Sequence, residues 1–167
     1  MQKPSPEALI TRSAIALDRI DYASWLECFA EECRYEITTF INLANGWPCG
    51  LLHAFSKDQL RDRIASIETV NVYEPHRYRH ILSQTHETHE THETHETHET
   101  HETHTGMDSI FVTAFSVYRI TANRSTILFA TGEYQDRFKY EASGLSIRER
   151  TVVLDNEQID TLLAIPL

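Results

Sequence analysis

The sequence predicts an α+β domain, with helices packed on one face of a curved, mainly antiparallel sheet. Three observations carry this. Helical periodicity dominates the front of the chain, long β-branched and aromatic runs fill its last third, and the links between those runs are short. Helices followed by closely linked strands is the α+β pattern, because parallel strands need crossovers of a dozen or more residues. At 167 residues, a single domain over 1–167 is expected, by the loose rule of about 100–200 residues per domain.

After a short tail (1–5), Ser5 is placed to cap a helix and Pro6 suits its first position. Leu9, Ile10, Ile15, Leu17 and Ile20 follow at a roughly helical period. Asp21 can cap a second short helix carrying Trp25, Leu26 and Phe29, so a break is predicted near Asp21. RYEITTFIN (34–42) is β-branched and aromatic and runs into the turn-prone NGWPCG, which reads as strand and then loop. LLHAF (51–55) is its candidate partner strand. Ser56 and Gln59 form an S-x-x-Q capping box for a helix through DQLRDRIASI, with Leu60, Ile64 and Ile67 on one side. Pro75 closes that region, and RYRHILS (77–83) reads as strand. The longest β candidates are 109–121, 126–140 and 145–155, joined by ANRS and EASG. Gly144 can take a positive φ in the second link, and Gly132, inside the longest run, is the expected bulge.

Composition narrows the function. Charged residues make up 24% and apolar ones 41%, an ordinary globular balance. The formal net charge is -10, but residues 85–105, THETHETHETHETHETHETHT, hold six of the 25 acidic residues and seven of the ten histidines. Without that tract the chain carries 19 acidic and 15 basic residues, a net of -4, and no basic footprint for a nucleic acid. Cys28, Cys33 and Cys49 form no C-x-x-C pair, so neither a disulfide scaffold nor a thiolate metal site is suggested. MQKPSPEALITRS has no apolar stretch of signal-peptide length, and no run approaches the ~18 apolar residues of a membrane span. A reduced, cytoplasmic protein with no membrane partner is expected.

The THE tract repeats every three residues, matching neither helix nor strand, and has nothing apolar to bury. It reads as a solvated, disordered loop or as a sequence artefact standing over an original segment. A third reading is a histidine tract that chelates zinc or nickel adventitiously, without a fixed geometry.

The densest chemistry is YEPHRYRH (73–80). On an extended strand Arg77 and Arg79 share one face while His76, Tyr78 and His80 share the other, so the imidazoles do not converge on a metal. Tyr73, His76, Arg77, Tyr78, Arg79 and His80 are the candidate subunit contact, with a catalytic or anion-binding role as the alternative. The arginines would pair with carboxylates such as Glu133, Asp136 and Glu149. A second constellation is Asp18, Asp21 and Tyr22 at the helix break, with His53 or His80. It can supply an acid–base pair inside a cone-shaped cavity, although Asp21 has a simpler use as a helix cap. The sequence has no C-x-H with C-x-x-H for a Rieske cluster, and no credible set of two His and one carboxylate for a mononuclear iron. Nor does it have a G-x-G-x-x-G, P-loop or G-x-S-x-G motif. No catalytic, cofactor-binding or metal residue is assigned to this chain.

YEPHRYRHIL (73–82) resembles the small (beta) subunits of aromatic-ring-hydroxylating Rieske dioxygenases. So do LDRIDYASWLECFAEECRYEI (17–37), KDQLRDRIASI (57–67), GEYQDRF (132–138) and IDTLLAIPL (159–167). The resemblance spans about residues 14–84 and 106–167, and it departs at the THE tract, where relatives carry a more ordinary strand and turn. It implies a nuclear-transport-factor-2-like (cystatin-like) cone. It also implies a trimer of small subunits carrying a trimer of large (alpha) subunits, with the Rieske iron–sulfur cluster and the mononuclear iron in the large one. NADH would supply electrons through a reductase, and a substituted benzoate, terephthalate foremost, would become a cis-dihydrodiol. The small subunit's own role would be structural. The competing reading is a stand-alone dehydratase or isomerase of the same fold, using an Asp/His pair. A subunit is expected to fill its cone and expose apolar surface, whereas a stand-alone enzyme keeps an open cavity with an Asp or His inside.

Overall fold

The first helix, α1 (Pro6–Asp18), starts as its sequence dictates: Ser5 is extended, and its hydroxyl accepts the Ala8 N–H at 3.2 Å. The protein is described by a computed structural model covering residues 4–69, 74–89, 109–123, 125–141, 144–156, 163 and 165–167. Tyr73 and residues 90–108 lie outside the described residues. The helix ends in a paired turn, with Ile20 N–H donating to Leu17 O (3.0 Å) and Asp21 N–H to Ala16 O (2.9 Å). That turn favours glycine at its left-handed position, yet Ile20 occupies it with φ 58°. Asp21 then caps α2 (Tyr22–Leu26) by accepting the Ser24 N–H at 3.0 Å.

β1 (Phe29–Thr39) leads into a short helix α3 (Phe40–Ala44), β2 (Leu52–Ala54) and α4 (Lys57–Thr69). The strand expected over 34–42 starts earlier and stops at Thr39, because the Thr39 hydroxyl accepts the Asn42 N–H at 3.3 Å and caps α3. Threonine serves both a strand and a cap, and here the cap outweighs the β propensity of Phe40 and Ile41. Ser56 and Gln59 cap α4 as expected, with Gln59 Oε1 accepting the Phe55 N–H at 2.7 Å. Leu60, Ile64 and Ile67 are buried.

The remaining strands are β3 (His76–Leu82), β4 (His86–His89), β5 (Ser109–Thr121), β6 (Thr126–Glu141) and β7 (Gly144–Leu154). They complete a sheet in the order β2-β1-β7-β6-β5-β3, with β4 following β3 along the same edge of β5. The β5–β6 and β6–β7 pairings are antiparallel, while β1 inserts beside β7 in parallel. The THE tract was expected to form no packed element, and its first residues correct that expectation. The backbone of β5 beyond Phe115 still offers pairing groups, and a strand ladder asks little of side chains. Thr88 Oγ1 adds a bond to Ile110 O at 3.2 Å. Gly132 is a second correction. The register shifts fall at Val117/Tyr118 and Arg137/Phe138, not at Gly132. Glycine is required there because a Cβ would lie 2.1 Å from Val153 O.

The helices cover one face of the sheet, and aromatic rings fill the space between. Trp25, Phe29 and Tyr35 meet edge to face with centroids 4.9–5.9 Å apart, and Phe115 stacks on Tyr134 at 4.5 Å. The chain returns to this core at its end, where Ile165 and Leu167 are buried. Tyr35 OH donates to Leu167 O at 2.6 Å and accepts the Leu167 N–H at 3.1 Å.

Candidate functional site

Alternation on β3 turns His76, Tyr78 and His80 inward and leaves Arg77 and Arg79 exposed, the split expected of an extended strand. Inward-facing His80 meets the last residue of α1. Its Nδ1 lies 2.6 Å from Asp18 Oδ1, and its backbone N–H donates to the same carboxylate at 3.0 Å. Both side chains are nearly sealed, at 1% and 7% exposure, so the bonds form in a low dielectric where they are stronger than in water. Nδ1 is the ring nitrogen that faces the carboxylate, and Nε2 is the one left over. Among the described residues, Nε2 has no hydrogen-bond partner. The pair borders a cavity of about 290 Å³ between α1 and β3, lined also by Ile10, Ala14, Ile15 and Leu82.

The other members of the predicted acid–base constellation are not at this place. Asp21 is a helix cap, as its simpler reading held. His53 lies on β2, at the opposite end of the sheet order, 3.7 Å from Glu36. Tyr22 is buried in the core.

The interior holds an ion pair that sequence reasoning missed. Arg150 Nε and Nη2 donate to Asp136 Oδ1 and Oδ2 at 2.7 and 2.8 Å, Nη1 donates to Ser13 Oγ at 2.9 Å, and the guanidinium lies 4.4 Å from the Tyr134 ring. Burial pushes the Asp136 carboxyl up and Arg150 pulls it back down. Burial also works against the Arg150 charge, but Asp136 outweighs it and the guanidinium stays firmly protonated. Alternation on β6 puts Asp136 on the buried face with Tyr134, β7 breaks its alternation between Ile147 and Arg150, and only the register shows that the two charges meet.

The profile of the ring-hydroxylating beta subunit family matches residues 12–161. The chain belongs to that family. This beta subunit is 35% identical over 143 residues to the terephthalate 1,2-dioxygenase terminal oxygenase component subunit beta 1 of a Comamonas species, covering 86% of this chain and 84% of the relative. Among solved structures it is similar to the beta subunit of benzoate 1,2-dioxygenase from Burkholderia mallei. That match has a TM-score of 0.68 at 13% identity, over 99% of this chain and 100% of the other. It is also similar to a cystatin-like protein of Nostoc punctiforme, with a TM-score of 0.53 at 14% identity, over 89% and 87%. The cystatin-like α+β fold expected from the sequence is therefore the fold observed.

Among the described residues of this beta subunit the Cys and His side chains do not come together as a donor set for an iron centre. Cys28 and Cys33 are buried beside α2 and on β1, whereas His76 and His80 are on β3 at the far end of the sheet order. Among the described residues no three His, Cys, Asp or Glu gather as metal ligands. The carboxylates expected for Arg77 and Arg79 are also engaged elsewhere. Asp136 is bonded to Arg150, Glu149 pairs with Arg137 at 3.1 Å, and Glu133 accepts from Gln135 at 2.8 Å. Arg79 instead lies 3.7 Å from Asp18. Among the described residues no helix is long and apolar enough to cross a membrane.

Proposed function

We propose that this beta subunit is the non-catalytic, structural partner of a large alpha subunit in a cytoplasmic aromatic-ring 1,2-dioxygenase. Its substrate is a substituted benzoate, terephthalate first, which becomes a cis-dihydrodiol. Three copies carry three alpha subunits, the Rieske cluster and mononuclear iron reside in the alpha chain, and NADH supplies electrons through a reductase. The observation that carries this reading is the filled cone. Trp25, Phe29, Tyr35, Phe115, Tyr134 and the Asp136–Arg150 pair are buried together in the interior, as expected of a subunit that fills its cone with side chains. The relative named for terephthalate supports the choice of ring acid.

Of the contact expected over residues 73–80, the exposed Arg77 and Arg79 are assigned to a contact between small subunits, while His76, Tyr78 and His80 are packed inside the chain itself. In support, β3 is an edge strand, and Arg77 and Arg79 point outward beside exposed Ile81. Arg79→Ala should then dissociate the trimer in sedimentation while the chain stays folded; an intact trimer with normal oxygenase turnover would remove the assignment.

Co-expression with the alpha chain tests the whole reading. The two should co-purify and convert terephthalate to its dihydrodiol, and the isolated beta chain with the THE repeats beyond β4 (90–105) replaced by a Gly/Ser linker should bind no iron. Stoichiometric iron in that chain would overturn it.

The second reading, a dehydratase or isomerase, rests on the Asp18–His80 pair beside its 290 Å³ cavity. His80→Gln separates the two. It leaves turnover per assembled complex unchanged if the chain is structural, and abolishes any activity of the isolated chain if it is an enzyme.

A further inference from the structure

α1 and β3 border a cavity of about 290 Å³ whose lining is part apolar and part polar. Ile10, Ala14 and Ile15 on α1 and Leu82 on β3 make the apolar part. The helix supplies it by spacing, because positions 10 and 14 lie one turn apart and share a face. Ile10 and Ala14 are buried, whereas Ile15 is 43% exposed and reaches the surface. The polar part includes the Asp18–His80 pair.

Most polar groups around the cavity are already engaged. The Thr85 and Thr113 hydroxyls bond each other at 2.8 Å. Ser83 Oγ accepts the Ala114 N–H at 3.0 Å and donates to Gln84 O at 2.9 Å. The Asp18 carboxylate accepts the His80 backbone N–H and lies 2.6 Å from His80 Nδ1. Arg79, which does not line the cavity, stands 3.7 Å from the same carboxylate. His80 Nε2 is the exception. It is buried and, among the described residues, has no hydrogen-bond partner. Such an atom costs free energy until something bonds it.

These features specify a ligand. The volume is at the low end of the roughly 300–1,000 Å³ of small-molecule pockets, which suits one ring and not a fused pair. Nε2 accepts when the imidazole is neutral with its proton on Nδ1, and donates when the ring is charged. A hydroxyl is both donor and acceptor, so it matches either state. A carboxylate does not fit. No lysine or arginine lines the cavity, exposed Glu7 borders it, and a second anion would share one imidazole with Asp18. We propose that this cavity binds a small uncharged ring bearing a hydroxyl, with the ring against α1 and the hydroxyl at His80 Nε2. The proposal goes beyond the subunit reading and does not depend on it. It shares its site with the dehydratase reading but asks only for binding, so it stands if that reading falls.

The test is equilibrium dialysis of phenol against the co-expressed oxygenase, with toluene and benzoate as competitors. Ile15→Trp and Thr11→Phe are the variants. Both positions line the cavity and are exposed on α1, so a larger side chain closes it without entering the core. One saturable phenol site per beta chain is expected, weakened at least tenfold by either variant, with sedimentation of the complex unchanged. Toluene, which lacks the hydroxyl, and benzoate, which is charged, should each compete at least tenfold more weakly than phenol itself. Equal phenol binding by the parent and both variants overturns the proposal and leaves the subunit reading standing. So does toluene or benzoate competing as well as phenol, and this series needs no substitution, so it decides the matter even if a variant fails to assemble. Failure of alpha and beta to co-purify overturns the subunit reading alone, and the same titration on the beta chain then decides the site.

Discussion

Asp136 and Arg150 are direct cross-strand partners on β6 and β7, and they close a two-bond fork in the interior with exposures of 0% and 1%. A fork of this kind combines charge with fixed geometry. It also joins three elements, because Arg150 reaches Ser13 on α1. Removing one partner leaves the other charged and unsolvated. Asp136→Asn should cost roughly 3–5 kcal/mol in urea denaturation, while Asp136→Leu with Arg150→Met should recover most of that loss. If the single substitution costs no more than the double one, the pair is not ionised.

Tyr35 holds the returning end of the chain through both backbone groups of Leu167. Tyr35→Phe keeps the ring but orphans a buried donor and acceptor. A loss of about 1–3 kcal/mol is expected. Faster proteolysis at the end of the chain should accompany it.

Gly132 meets Val153 O across the β6–β7 pairing, where a Cβ would lie at 2.1 Å. The obstacle is backbone, which cannot rotate aside. Gly132→Ala should destabilise by about 3 kcal/mol, whereas a flexible site would register almost no change in the denaturation midpoint.

Ile20 occupies a left-handed position that costs an L side chain roughly 1–2 kcal/mol. Glycine relieves this but gains freedom in the unfolded chain, which offsets about 0.4–1 kcal/mol. Ile20→Gly should raise stability by roughly half a kcal/mol, read as a higher thermal midpoint.

Burial, followed by nearby Arg119, holds the His76 imidazole below its ordinary value of 6.5, against the bond to Glu74 O that raises it. A lowered folded value means that the unfolded chain takes up the proton first. The contribution is therefore complete above about pH 6.5 and is lost as pH falls below it. His76→Gln should flatten that acid limb relative to the parent chain; identical slopes between pH 7 and 5 would place His76 outside the titration.

The sequence by itself determined the elements. Ser5, Asp21 and Ser56 announced their helices, and the three long β runs lie within one residue of their expected bounds, because caps and alternation are local physics. It also determined which side chains of β3 share a face, since a period of two fixes that, but which of the two faces turns inward was decided by packing. What it did not contain was partnership. Asp18 and His80 stand 62 positions apart and Ser13 and Arg150 stand 137 apart, so only the sheet order and register bring them together. The helix at Phe40–Ala44 and the strand at His86–His89 were hidden for related reasons. A threonine cap overrode β propensity in the first, and an open backbone edge accepted a sequence without strand character in the second. Local chemistry chose the pieces, and long-range packing decided which charges are paired and which apolar side chains stay exposed.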